Sequence, residues 1–210
     1  MTDLQAPEPH LQKRSRKEQI LQSLASMLEA TPGGRITTAQ LAKNVGVSEA
    51  ALYRHFPSKA KMFEALIEFI EDAIFSRISL ITKEQSDASK QIELILRMIV
   101  TFCDRNPGIC RIMTGDAIVG EHERLQKRVE QLYERIETHI KQIFRKAEAA
   151  QASLTPISTS DSAALLTSFV EGKIFQFVRS RFKKSPLVGW DEQIKLLLAT
   201  LLISPNSIHF

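Results

Sequence analysis

The sequence predicts an all-α fold, with a small N-terminal helical module ahead of a larger helical body. Three observations predict it. Gly and Pro are scarce, at eight each in 210 residues. Apolar residues recur at spacings of three and four, between Ser, Thr or Asp caps and Gly or Pro stops. The strict alternation of a half-buried strand is absent. A hydrophobic content of 43% with 25% charged residues is that of an ordinary water-soluble protein. The longest apolar runs fall well short of the roughly 18 residues that a membrane helix needs.

Taken in order, residues 1–11 contain Pro7 and Pro9 and read as a disordered leader. Residues 12–57 form the first module. Lys13, Arg14, Arg16 and Lys17 open its first helix, with Ser15 and Glu18 spaced as a capping box and Ile20, Leu21, Leu24, Met27 and Leu28 as the buried stripe. Cations at a helix N-terminus oppose its dipole, a small cost that phosphates at that end would relieve. Thr37 and Gln40 make a second capping box ahead of Leu41, Ala42 and Val45, and Gly46 stands where a helix ends in a left-handed residue. Ser48 caps a third helix. Ala51, Leu52 and Phe56 form its inward stripe, and Pro57 stops it. The outward face then carries Ser48, Glu49, Ala50, Tyr53, Arg54 and His55. These are small at the end that must approach base edges and larger where phosphates lie. This is helix-turn-helix chemistry. A plain helical hairpin inside the core is the alternative, but the turn, the caps and the polar face agree with one another.

Residues 58–203 form the body. Ser58 caps a long helix over 59–82, with Met62, Phe63, Leu66, Ile67, Ile70, Ile74 and Ile78 inward. Residues 83–90 read as a polar link. A helix over 92–106 is apolar almost all round and so should be central. Asn106-Pro107-Gly108 breaks it, and a short helix over 109–113 follows. Residues 121–152 make a long charged helix. Its seam of Leu125, Val129, Leu132, Ile136, Ile140 and Ile143 could serve a coiled coil, though one buried edge on the outside of the body is the better reading. Two last helices span 161–184 and 191–202. Their apolar surface exceeds what one neighbour would bury, so pairs from two chains would form a four-helix interface through Phe169, Gly172, Phe177, Ile194, Leu197 and Leu201. Residues 204–210 read as a loose tail.

Charge is uneven. From His10 to Lys61 nine Lys or Arg face three acids, so this segment is +6 and the rest of the chain −2. A basic module on a near-neutral body fits a polyanion. Cys103 and Cys110 sit in apolar settings and read as buried free thiols. No zinc spacing, phosphate loop or nucleophile motif occurs, so no enzyme, cofactor or metal is expected. Glu121, His122 and Glu123 read as a solvated helix start. No signature of a small-molecule ligand is evident.

The segment LYRHFPSK, residues 52–59, resembles the TetR family of transcriptional regulators. Tyr53 and Phe56 match its Tyr-x-x-Phe pattern, and Lys59 matches the lysine that grips a phosphate at the start of the next helix. Three stretches resemble a narrower branch, the nucleoid occlusion factors: RITTAQLAKNVGVSEAALYRHFPSK (35–59), MFEALIEFIED (62–72), and RNPG (105–108) followed by RIMTGDA (111–117). The resemblance implies a homodimer on palindromic double-stranded DNA, several dimers sharing one site, and a cytoplasmic, nucleoid-associated protein. DNA contacts would come from Arg14, Arg16, Lys17, Thr37, Thr38, Ser48, Glu49, Ala50, Tyr53, Arg54, His55 and Lys59. It also implies that the DNA-bound protein opposes ring assembly by the division protein FtsZ. The FtsZ C-terminal tail would dock at Phe69, Arg77, Met98, Thr101, Arg105 and Asn106. The branch usually has Leu and Gly where this chain has Met98 and Thr101. A ligand-controlled repressor of the wider family, or a helical interaction protein with no DNA function, are the competing expectations.

Overall fold

A computed structural model describes residues 15–153 and 155–203. The leader, Lys13, Arg14 and the tail therefore lie outside the described residues. The chain forms helices α1 (Arg16–Ala30), α2 (Thr38–Val45), α3 (Glu49–His55), α4 (Lys59–Glu84), α5 (Ala88–Arg105), α6 (Pro107–Met113), α7 (Glu123–Ala149), α8 (Thr159–Arg179) and α9 (Trp190–Leu201), with one 3-10 turn over Asp116–Ile118. Both expected capping boxes form: Ser15 with Glu18, and Thr37 with Gln40. The link before α5 is shorter than expected because the Asp87 side chain caps α5 at Ala88. α8 stops at Arg179, five residues early, where Arg181 and Phe182 turn to φ +54° and +63°.

One continuous core runs through the molecule. Ile20, Leu24 and Leu28 of α1 and Leu52 of α3 join the Met62–Ile78 stripe of α4. α5 is central, touching α4, α6, α7, α8 and α9. The apolar seam of α7 faces the body, and Phe144 and Ala147 are buried beside it. The helix thus lies along the outside with one buried edge, packing on α8, α4 and α5.

The two parts of the chain are joined most closely where α6 crosses α1. A Cβ placed on Gly108 would lie 2.0 Å from the Ala25 carbonyl oxygen, so only glycine permits the observed approach. One turn on, Arg111 is 2% exposed. Its guanidinium donates from Nη1 to the carbonyls of Leu28 (3.1 Å) and Thr31 (2.6 Å), and from Nη2 to that of Gly34 (2.9 Å). Nε donates to Asp116 Oδ2 at 2.5 Å. A buried charge is tolerated when it is paired and hydrogen-bonded in this way. The cation also meets the negative end of the α1 dipole.

The expected interface residues on α8 and α9 divide into two sets. Phe177, Ile194 and Leu201 are buried in the protomer's own core. They are corrected as interface residues, because their helical phase turns them towards α5 and α7. Phe169 and Leu197 are half-buried and Gly172 is exposed. The outward apolar groups are instead Leu165, Phe175 (57% exposed) and Leu196 (70%).

Candidate nucleic-acid interface and partner groove

The turn between α2 and α3 is built by local chemistry. Gly46 adopts φ +74°, which lets the Val47 N–H reach the Ala42 carbonyl at 2.9 Å and closes α2. Ser48 Oγ then accepts from the Ala51 N–H and starts α3. Leu52 and Phe56 are buried, whereas Ser48, Glu49, Ala50, Tyr53 and Arg54 are exposed along the opposite face. His55, expected on that face, is half-buried and is corrected to its edge. Arg16 and Lys17 stand exposed at the start of α1, with Lys17 Nζ 5.9 Å from the centre of the Phe56 ring.

Several of these side chains already have work within the module. The Thr37 hydroxyl accepts from the Gln40 N–H and donates to Gln40 Oε1, so Thr37 acts first as a cap. Tyr53 donates its hydroxyl proton to Thr38 Oγ1 at 3.3 Å, and Thr38 donates to Glu49 Oε2 at 2.9 Å. Tyr53 must release Thr38 before it can donate to a phosphate. Lys59, expected to grip a phosphate, pairs with Glu121 at 2.5 Å and is half-buried. The ammonium keeps two further N–H donors, so a phosphate would share Lys59 with that carboxylate or displace it. Glu121 is thus a partner of Lys59 and not simply a solvated residue, while His122 Nδ1 caps α7.

The Lys59–Glu121 pair heads a ladder between α4 and α7. Glu64 pairs with Arg124 at 2.5 Å, and Glu71 takes a two-pronged bond from Arg128 (2.8 and 3.3 Å). Burial works to raise the Glu64 carboxyl, but Lys61 and Arg124 outweigh it and hold the group below its usual range. The hydrogen bond to Glu71 pushes the Arg128 guanidinium up.

Two family models match the chain: the bacterial regulatory proteins of the tetR family over residues 20–66, and a SlmA-like "Tetracyclin repressor-like, C-terminal domain" over residues 86–202. The chain belongs to the TetR family, in its SlmA branch. It is 51% identical over 192 residues to "Nucleoid occlusion factor SlmA" of Marinomonas sp. (strain MWYL1), and 54% identical over 192 residues to the protein of that name from Shewanella frigidimarina. Each alignment covers 91% of this chain and 98% of the relative. Among solved structures, FadR from Bacillus subtilis in complex with stearoyl-CoA matches with TM-score 0.75 at 11% identity, covering 88% of this chain and 98% of that one. MbdR from Azoarcus sp. CIB matches with TM-score 0.75 at 16% identity, covering 90% and 100%. At such identities these structures speak for the fold alone.

The residues expected to receive a partner lie on α4, on α5 and at the start of α6. Phe69 is 52% exposed on a helix whose other large apolar groups are mostly buried. Arg77, two turns on, is exposed on the same face, and so is Leu80. On the neighbouring α5, Met98, Thr101 and Arg105 follow one another at i, i+3 and i+7, the first two half-buried and Arg105 exposed. Asn106 is half-buried, and its Nδ2 donates to the Phe102 carbonyl at 2.7 Å. That amide caps α5 from below, so its role is at least partly to set the α5–α6 corner.

The sequence carried no sign of a cleft of about 890 Å³ that opens between the Pro32–Gly33 turn, the end of α6, α7 and α8. Met113, Val119, Tyr133, Glu171 and Phe175 line it. Burial, with Glu137 nearby, raises the Glu171 carboxyl, and burial holds the Tyr133 phenol well above its ordinary value. Cys103 and Cys110 are free and buried, and contact with Cys103, then burial, pushes the Cys110 thiol up. Among the described residues no cluster of His, Cys, Asp or Glu could hold a metal ion, and no helix is long and apolar enough to cross a membrane.

Proposed function

We propose that this protein is a nucleoid occlusion factor. Two copies pair through the outward face of α8 and α9, and each presents α3 to one half of a palindromic DNA site. While bound to the chromosome, the pair takes the C-terminal tail of FtsZ on the α4–α5 surface and so opposes ring assembly over the DNA. The protein then works in the cytoplasm, on the nucleoid. One observation carries the reading: Phe69 stands exposed on α4, with Arg77 exposed two turns on and Arg105 exposed at the end of α5, the helix packed against α4. An aromatic anchor with flanking cations suits a short acidic peptide or its terminal carboxylate. Leu165, Phe175 and Leu196 support the pairing, since exposed apolar groups of this size on adjoining helices favour burial against a second copy.

The test measures binding of an FtsZ tail peptide and of a palindromic duplex to Arg105→Asp. Loss of the peptide with DNA binding intact is expected; retained peptide binding places the dock elsewhere. Mapping of bound chromosomal sites adds a second check, with dispersed sites favouring occlusion and a few promoters favouring gene control. A ligand-controlled repressor is the second reading, favoured by the cleft beside Tyr133 and Glu171. A small molecule that occupies the cleft and releases DNA would establish it.

A further inference from the structure

The hydrogen bonds around Glu49 have a use beyond holding α2 against α3. We infer that Glu49 is a base-reading residue, selecting cytosine at one position in each half-site. The inference rests on α3 entering the major groove, as proposed above.

Glu49 is an exposed carboxylate on the face of α3 that meets DNA. Exposed anions on such a face repel phosphates and cost affinity, so electrostatics alone disfavours the residue. The positive end of the α3 dipole and the Thr38 bond offset part of that cost, and accepting from a base edge would offset more. On the major-groove edge only two groups donate: the N4 amine of cytosine and the N6 amine of adenine. The adenine amine sits beside N7, an acceptor that repels a carboxylate. The cytosine amine sits beside a C–H edge. Guanine and thymine offer acceptors and a methyl group, and would leave the carboxylate desolvated without a donor. A carboxylate here therefore chooses cytosine and penalises the rest, and the penalty contributes as much to specificity as the attraction.

The geometry supports this use. Thr38, eleven residues earlier and on the other helix of the motif, donates to Glu49 Oε2 at 2.9 Å. Tyr53 donates to Thr38 Oγ1 at 3.3 Å. The bond from Thr38 orients one carboxylate oxygen and does not depend on Tyr53, which is free to turn to a phosphate, while Oε1 takes no hydrogen bond from any described residue. A side chain oriented in this way loses less rotamer freedom when a base binds. Ala50 beside it is small and exposed, which lets the backbone come close to the base edges.

The experiment selects sites from a randomised duplex library with wild type, Glu49→Gln and Glu49→Ala, followed by titrations on single-base variants of the selected site. Wild type is expected to select a palindrome with one cytosine position per half-site that neither variant retains. Glu49→Gln should shift that position towards adenine, since an amide can accept from N6 and donate to N7. Glu49→Ala should lose about tenfold in preference for cytosine there, roughly one good base contact, while binding random duplex more tightly. Unchanged selection by both variants, or a uniform drop in affinity for every sequence, would overturn the inference and leave DNA binding standing. If wild type selects no palindrome, the inference falls together with the DNA-binding reading, and the two failures are separate results.

Discussion

Gly108→Ala tests the joint between the DNA-reading module and the body. The added Cβ would sit 2.0 Å from the Ala25 carbonyl oxygen and 3.0 Å from the Glu29 nitrogen. Both are backbone atoms, so no flexible side chain can give way. To restore an ordinary contact α6 must retreat from α1 by about 1.4 Å, from 2.0 to 3.4 Å. Overpacking of this kind costs about 1–3 kcal/mol. The same retreat stretches the bonds from Arg111 to the Leu28, Thr31 and Gly34 carbonyls, each worth roughly 1.5 kcal/mol or more because the donor is charged. Opposing this, helix propensity favours Ala over Gly by at most about 1 kcal/mol. The net expectation is a loss of about 2–4 kcal/mol, or a fall in Tm of roughly 5–15 °C for a chain of this length. Thermal and urea melts at fixed protein concentration measure it, because pairing couples Tm to concentration. The two effects have opposite signs, so the direction of the shift decides between them. An unchanged or higher Tm would refute the close-approach argument.

Two further outcomes follow from the geometry. Leu196→Glu alters a side chain 70% exposed in the protomer, so the protomer core should be undisturbed. Light scattering should show a monomer and titrations a weaker hold on a palindromic duplex; a dimer of unchanged affinity would exclude this face. Burial raises the Glu171 carboxyl above the 4.5 of an unfolded chain. The folded state therefore binds more protons than the unfolded one just above pH 4.5, and stability falls as pH rises through the folded value. Glu171→Gln should accordingly melt higher than wild type at pH 7, with the gap closing below pH 4.5. A gap independent of pH would point to packing instead.

Much of the local structure was legible because its causes are local. Ser15, Thr37, Gly46 and Ser48 define helix ends through bonds spanning three to five residues, and these formed as spaced. The α4 and α7 stripes were equally plain, since helical spacing alone aligns their apolar groups. On α8 and α9 the same method misassigned faces. Both helices are apolar over more than half their circumference, so periodicity could not say whether Phe177 or Phe175 turned outward. The packing of α8 on α7, and of α9 on α5, settled it.

The sequence by itself determined the helices and the reading-helix motif, because caps, turns and apolar periodicity act within a few residues of one another, and the resemblance of residues 52–59 pointed to the family. Only the tertiary structure decided what those residues touch: Arg111 buried among the carbonyls at the end of α1, Lys59 held by Glu121, Glu49 fixed through Thr38, and a cleft beside Tyr133. Each joins groups 11 to 83 residues apart, or several helices at once. Whether such groups meet depends on how the helices cross, and a backbone approach such as that of Gly108 to Ala25 sets the crossing without leaving a pattern along the chain.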